Sequence, residues 1–154
     1  MNKNRTSDKG NLSESKVLTS YIQAGFAVSV PFGGSAPYDL IVDTGNRLLK
    51  VQVKTGRLRN GCILFPMQRF SGHNAKAQDY KIGEIDLFAV YCPDNEKIYV
   101  IKFCGDLTQC RLRCFETKNN QRHNIRWAID YEFAKHVEEL RREVELRGIE
   151  PLTS

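Results

Sequence analysis

The chain has 154 residues, 41% of them hydrophobic, with 23 Lys and Arg against 18 Asp and Glu and a formal net charge of +5. That length supports one domain with a proper core, and the positive balance favours a polyanionic partner. No apolar run approaches the roughly 20 residues a bilayer-spanning helix needs, and the polar first ten residues lack an apolar signal region, so the expectation is a cytoplasmic protein without a membrane partner.

Residues 1–10 read as a flexible tail. Asn11 or Ser13 is a suitable cap for a helix that runs to about Ala24, with Gly25 as its stop. Val17, Leu18, Tyr21 and Ile22 form its apolar stripe, and Glu14 continues that stripe toward the N-terminus. A carboxylate there fits either a functional site or a first-turn acid complementing the helix dipole.

Residues 26–32 read as a strand. The following Gly33-Gly34-Ser35-Ala36 lacks the Gly-Lys-Ser/Thr ending of a phosphate loop, which speaks against nucleotide binding. Residues 37–54 read as two strands joined by a tight turn at Thr44-Gly45-Asn46-Arg47. In the second arm Leu49, Val51 and Val53 point one way, and Leu48, Lys50, Gln52 and Lys54 the other. Hairpin pairing then brings Asp39 to Gln52 and Lys54, so a carboxylate, an amide oxygen and an ammonium converge on one side of a small sheet. Taken singly, Asp39 is also a turn-satisfying acid and Lys54 a solvated edge lysine.

Arg57, Arg59 and Asn60-Gly61 form a basic turn, with residues 62–66 returning as a strand; its arginines suit phosphates or base edges, or simply solvent. Residues 68–81 are polar and aperiodic and read as a DNA-contacting loop, with Gln68, Arg69, Ser71, His73, Asn74 and Lys76 as candidate contacts. Residues 85–92 and 97–104 are apolar strands around a Pro93-Asp94-Asn95-Glu96 turn, and Asp86 is expected to bond neighbouring backbone. Arg111, Arg113, Lys118, Arg122, His123 and Arg126, interleaved with Phe115 and Trp127, read as a DNA arm, against the alternative of a charged surface.

A last helix is expected over 131–147, begun by Asp130, with Phe133, Ala134, Val137, Leu140 and Val144 as its stripe; Gly148 ends it, and residues 149–154 read as a tail. Five cysteines occur without a CxxC pair. The spacing of Cys104, Cys110, Cys114 and His123 matches no common zinc knuckle, so the thiols read as reduced and structural, Cys92 and Cys104 within apolar strands. There is no internal repeat and no second domain.

The convergence of Asp39 with Gln52-x-Lys54, behind a helix bearing Glu14, resembles the PD-(D/E)XK nuclease superfamily. The runs Lys50-Val51-Gln52-Val53-Lys54-Thr55-Gly56-Arg57 and Gly83-Glu84-Ile85-Asp86-Leu87-Phe88-Ala89-Val90-Tyr91 look like the branch that contains the homing endonuclease of a cyanobacterial group I intron, where Gln replaces the usual acid. The resemblance extends from about Gly10 to about Arg147. This chain departs from the motif in splitting Pro37 from Asp39 by Tyr38.

The resemblance implies an α/β (α+β) fold with a restriction-endonuclease-like core, a mixed central sheet flanked by helices. It implies a site-specific DNA endonuclease dependent on Mg2+, with Mn2+ able to substitute and Ca2+ binding without turnover. Glu14, Asp39, Gln52 and Lys54 are the implied catalytic set. Asp39, Gln52, the Val53 carbonyl and Glu14 are the implied metal ligands, Glu14 directly or through water. Double-stranded DNA is the implied partner. Cutting two strands with one site per small domain requires at least a dimer, and the resemblance suggests a homotetramer, a dimer of dimers. A Holliday-junction resolvase or restriction-type nuclease is the nearest alternative. A non-catalytic DNA-binding domain on a degenerate nuclease fold is the second, for which Gln52 speaks.

Overall fold

A computed structural model of the chain describes residues 5–70, 76–105, 109–116, 118–119 and 123–148. The chain starts in helix α1 (Arg5–Gln23) and then forms β1 (Ala27–Ser29), β2 (Leu40–Asp43) and β3 (Leu48–Thr55). Next come β4 (Arg57–Arg59), β5 (Cys62–Pro66), β6 (Gln68–Phe70) and β7 (Ala77–Asp79). The strands β8 (Leu87–Cys92), β9 (Lys97–Lys102) and β10 (Gln109–Arg113) precede a 3-10 turn (Ala128–Tyr131) and helix α2 (Phe133–Leu146).

The central sheet has the order β1-β2-β3-β8-β9 and is mixed: β3 and β8 are parallel, with Gln52 opposite Phe88 and Lys54 opposite Val90, while its other neighbours are antiparallel. The alternation of β8 and β9 divides the core in two: Leu87, Ala89, Tyr91 and Val100 face one way, and Phe88, Val90, Tyr99 and Ile101 the other. Leu49, Val51 and Val53 join Val17, Tyr21, Val137 and Leu140 on the helix side. On the other side Phe88, Val90, Tyr99 and Ile101 meet Ile63, Phe65, Cys110 and Leu112 of a three-stranded sheet ordered β10-β5-β4. The result is helices, central sheet and small sheet in layers, the mixed α+β architecture expected. Among the described residues no helix is long and apolar enough to cross a membrane.

Two backbone features set the small sheet in place. Asn60 and Gly61 both have positive φ, 49° and 73°, the requirement of a two-residue hairpin turn between twisted strands. Gly56 carries the chain from one sheet to the other. A Cβ there would lie 2.9 Å from both Ile63 Cγ2 and Val90 Cγ1, so the two sheets approach as closely as a glycine allows.

Several elements depart from the sequence expectation. The first helix starts at Arg5, so residues 5–10 are helical, not a tail. Ser13 is buried mid-helix, where its hydroxyl donates to the Lys9 carbonyl and bonds Thr55 Oγ1 at 2.6 Å; satisfied there, it does not cap the helix. The buried line is Ser13, Val17 and Tyr21, each four residues apart, which leaves Ile22 exposed and puts Glu14 beside that line, exposed, rather than on it. The first strand is only three residues long. Cys104 lies beyond β9 and is exposed, whereas Cys92 is buried in β8.

Residues 68–70 and 77–79 pair as an antiparallel ribbon rather than a loop. Residues 109–113, expected as part of a basic arm, are a strand: Cys110 and Leu112 face the core while Arg111 and Arg113 alternate with them. Asp130 sits in the 3-10 turn, and α2 begins three residues later behind Glu132, without a side-chain cap bond. Within α2, His136 is buried and Ala134 exposed. Residues 1–4 and 149–154 lie outside the described residues.

Candidate active site

The site is built by hairpin register. β2 and β3 pair with Leu40 opposite Val51. The ladder extends one residue further, the Asp39 N–H donating to the Val51 carbonyl at 2.9 Å. Asp39 therefore sits beside Gln52 and Val53, and one carboxylate oxygen, Oδ2, accepts the Val53 N–H at 2.8 Å.

Burial raises the Asp39 pKa above the ordinary carboxylate range, partly offset by the Val53 N–H and by the charge of Lys54. Glu14 reaches the same locality from α1. Its pKa is also raised, first by partial burial and then by repulsion from Asp39. Two carboxyls that each resist ionisation, one of them in part because of the other, are a pair whose joint charge a cation would offset.

Gln52 lies on the Lys54 face. Its side-chain amide nitrogen donates to the Val53 main-chain carbonyl at 3.3 Å, which keeps two neutral oxygens of the site adjacent. Among the described residues no three His, Cys, Asp or Glu side chains gather as a metal cluster. The oxygens available to a cation are thus a carboxylate pair, an amide and a main-chain carbonyl. All are hard oxygen donors, suited to a hard divalent cation.

The Lys54 ammonium donates to the Gln68 main-chain carbonyl at 2.7 Å and lies 5.3 Å from the centre of the Tyr80 ring. Burial lowers its pKa to about 8, against the opposing pull of Asp39. The structure thus brings Asp39, Gln52, Val53 and Lys54 together and sets Glu14 within electrostatic reach. Tyr80 is a neighbour that sequence reasoning missed. Burial, then the charge of Asp39, raises its phenol to about 12, with Arg69 pulling the other way. It follows a polar, aperiodic stretch, and nothing local marks it.

A family model described as PD-(D/E)XK endonuclease matches residues 4–134, most of the chain. This chain belongs to that family. A solved bacterial homing endonuclease, I-Ssp6803I, superposes with a TM-score of 0.70 at 25% identity, over 93% of this chain and 98% of that one. Among proteins of curated function none matches.

The expected DNA contacts fall into three groups. Arg57 and Arg59 on β4 lie in register, across β5, with Arg111 and Arg113 on β10: Arg57–Leu64–Arg111 is one row and Arg59–Cys62–Arg113 the next. Four guanidinium groups therefore stand on one face of the small sheet, whose other face is core. Arg111 and Arg113, with Asn124, Ile125 and Arg126, line a depression of about 570 Å³. Gln68 and Arg69 are engaged within the ribbon, Gln68 Nε2 with Asp79 at 2.6 Å and Arg69 Nε with Gln78 at 3.2 Å. Lys76 and Lys118 are exposed. Ser71, His73, Asn74 and Arg122 lie outside the described residues. Asp86 accepts the Lys50 N–H at 2.7 Å, the backbone role expected of it.

Proposed function

We propose that this family member is a divalent-metal-dependent endonuclease of the homing type that cuts both strands of a duplex DNA site. The observation that carries the reading is the register that sets the Asp39 carboxylate on the Val53 N–H, one residue from Lys54. Asp39, Gln52 through its amide oxygen, the Val53 carbonyl and Glu14 are the residues to hold Mg2+, Glu14 directly or through water. The bound ion supplies a water of lowered pKa and neutralises charge on the phosphate.

The protein's own groups do the rest. Asp39 and Glu14 concentrate negative charge where Gln52 contributes none. Lys54, an ammonium at neutral pH, orients the attacking water or meets the charge that grows on the phosphate. The arginine face of the small sheet, beginning three residues after Lys54, is the surface for the duplex. Its four side chains suit phosphate contact, and Arg suits guanine edges in the major groove. One site per chain and two strands to cut call for at least a dimer, and a homotetramer built as a dimer of dimers is our reading. A cytoplasmic location belongs to the same proposal.

The test is cleavage of duplex DNA against four-way junctions with Mg2+, Mn2+ or Ca2+. Duplex cleavage with the first two, none with Ca2+, and loss of cleavage in Lys54→Met support the proposal. Cleavage confined to junctions would move the chain to the resolvases. Gln52 in place of an acid favours a second reading, a non-catalytic DNA-binding domain. Tight duplex binding with no cleavage under any divalent ion would establish that one.

A further inference from the structure

We propose that Tyr80 is a positioning residue: its ring, together with the main-chain carbonyl of Gln68, forms a two-sided cradle that aims the Lys54 ammonium. The inference deepens the nuclease reading and rests on it for its kinetic consequence. A lysine side chain has four rotatable bonds, and a catalytic ammonium is effective only if one of its rotamers is held. Lys54 is held twice, by a 2.7 Å hydrogen bond to the Gln68 carbonyl and by the face of the Tyr80 ring at 5.3 Å, within cation–π range. The hydrogen bond uses one of three ammonium protons and leaves two for water or phosphate.

The cradle is itself rigid. Tyr80 is 4% exposed and packs edge-on against Phe88, 5.5 Å between centroids, and against Phe103 at 6.3 Å. Phe88 stands opposite Gln52 on the next strand, so the aromatic stack is tied to the catalytic sheet. The other wall comes from β6. Gln68 pairs with Asp79 in the ribbon, and Tyr80 directly follows Asp79. Ribbon pairing is therefore what brings carbonyl and ring to the same ammonium. The Gln68–Asp79 and Arg69–Gln78 side-chain bonds hold that pairing.

The test uses the full chain in two arms. In the first, without DNA or metal, NMR reads the Lys54 ε-methylene, assigned by its disappearance in Lys54→Met. The wild type and Tyr80→Phe show a ring-current displacement, and Tyr80→Leu returns the signal to the position of an exposed lysine. A wild-type signal already at the exposed-lysine position overturns the proposal without any Tyr80 variant. In the second arm, single-turnover cleavage with Mg2+ and duplex affinity are measured. Tyr80→Phe, which keeps the ring, cuts within about twofold of wild type. Tyr80→Leu cuts roughly ten- to a hundredfold more slowly at unchanged DNA affinity. A folded Tyr80→Leu that cuts at the wild-type rate overturns the proposal. A wild type that never cuts overturns the nuclease reading instead, and the NMR arm still decides the cradle.

Discussion

One carboxylate oxygen of Asp39 accepts the main-chain N–H of Val53 at 2.8 Å, which locks the acid to the strand that carries Lys54. The bond needs only an acceptor, and an asparagine amide oxygen is one. In Asp39→Asn the fold should therefore persist, with stability lowered by less than about 1 kcal/mol. The Asp39 charge is gone, and cleavage should fall by roughly a hundredfold or more. Denaturant midpoints beside cleavage rates separate the two effects, and full activity in the variant would remove Asp39 from the chemistry.

Gln52→Glu restores the acid usual in the family motif. It adds a negative charge beside Asp39 and removes the donor to the Val53 carbonyl. Without metal this crowding should lower stability. With metal the added charge should tighten Mg2+ binding about tenfold. Calorimetric titration of both proteins checks the affinity, and equal affinities would exclude residue 52 from the ligand set.

The arginine face makes a prediction about salt. Log affinity for DNA falls with log salt in proportion to the phosphates neutralised, by about 0.9 for each. Arg111→Ala with Arg113→Ala should therefore flatten the slope by about 2 and weaken binding across sequences. A slope equal to wild type would show that the small sheet does not meet phosphates.

His136 gives the fold a pH limit. Its ring nitrogen Nε2 lies 2.9 Å from the Tyr21 hydroxyl inside the helix layer. Burial, helped by the charges of Lys102 and Arg47, lowers its pKa from 6.5 to about 4. The unfolded chain binds this proton more readily, so the contribution is complete above pH 6.5 and is lost as pH falls toward 4. Its bound is roughly 3 kcal/mol. His136→Gln should flatten the stability profile across that window, as read by denaturation at about pH 7 and about pH 4.5. Parallel profiles for the two proteins would contradict the burial effect.

Gly56→Ala tests the junction between sheets. Its backbone tolerates alanine, but the new methyl meets Ile63 and Val90 at 2.9 Å. Overpacking of this kind costs about 1–3 kcal/mol. Thermal unfolding reads it, and an unchanged midpoint would mean the sheets separate freely.

Strict alternation in residues 48–54 made the candidate site's face legible in the sequence, because a strand's side chains have a period of two wherever it lies. That periodicity alone joined Gln52 to Lys54, and the short Gly45-Asn46 turn added Asp39 through hairpin register. Asn60-Gly61 marked the second hairpin for the same local reason. Non-local pairing decided the remainder. Arg111 and Arg113 alternate with Cys110 and Leu112, a strand pattern hidden by its charge until β5 supplied a partner. The ribbon carries no hydrophobic alternation at all, so its pairing, the carbonyl of Gln68 and the ring of Tyr80 are set only by the strands and aromatics around them. The approach of Glu14 likewise depends on how α1 packs on β3, where Ser13 meets Thr55, 42 residues away in sequence. Periodicity acts within a few residues and can be read along the chain, whereas which distant surfaces meet follows from the burial of the whole core.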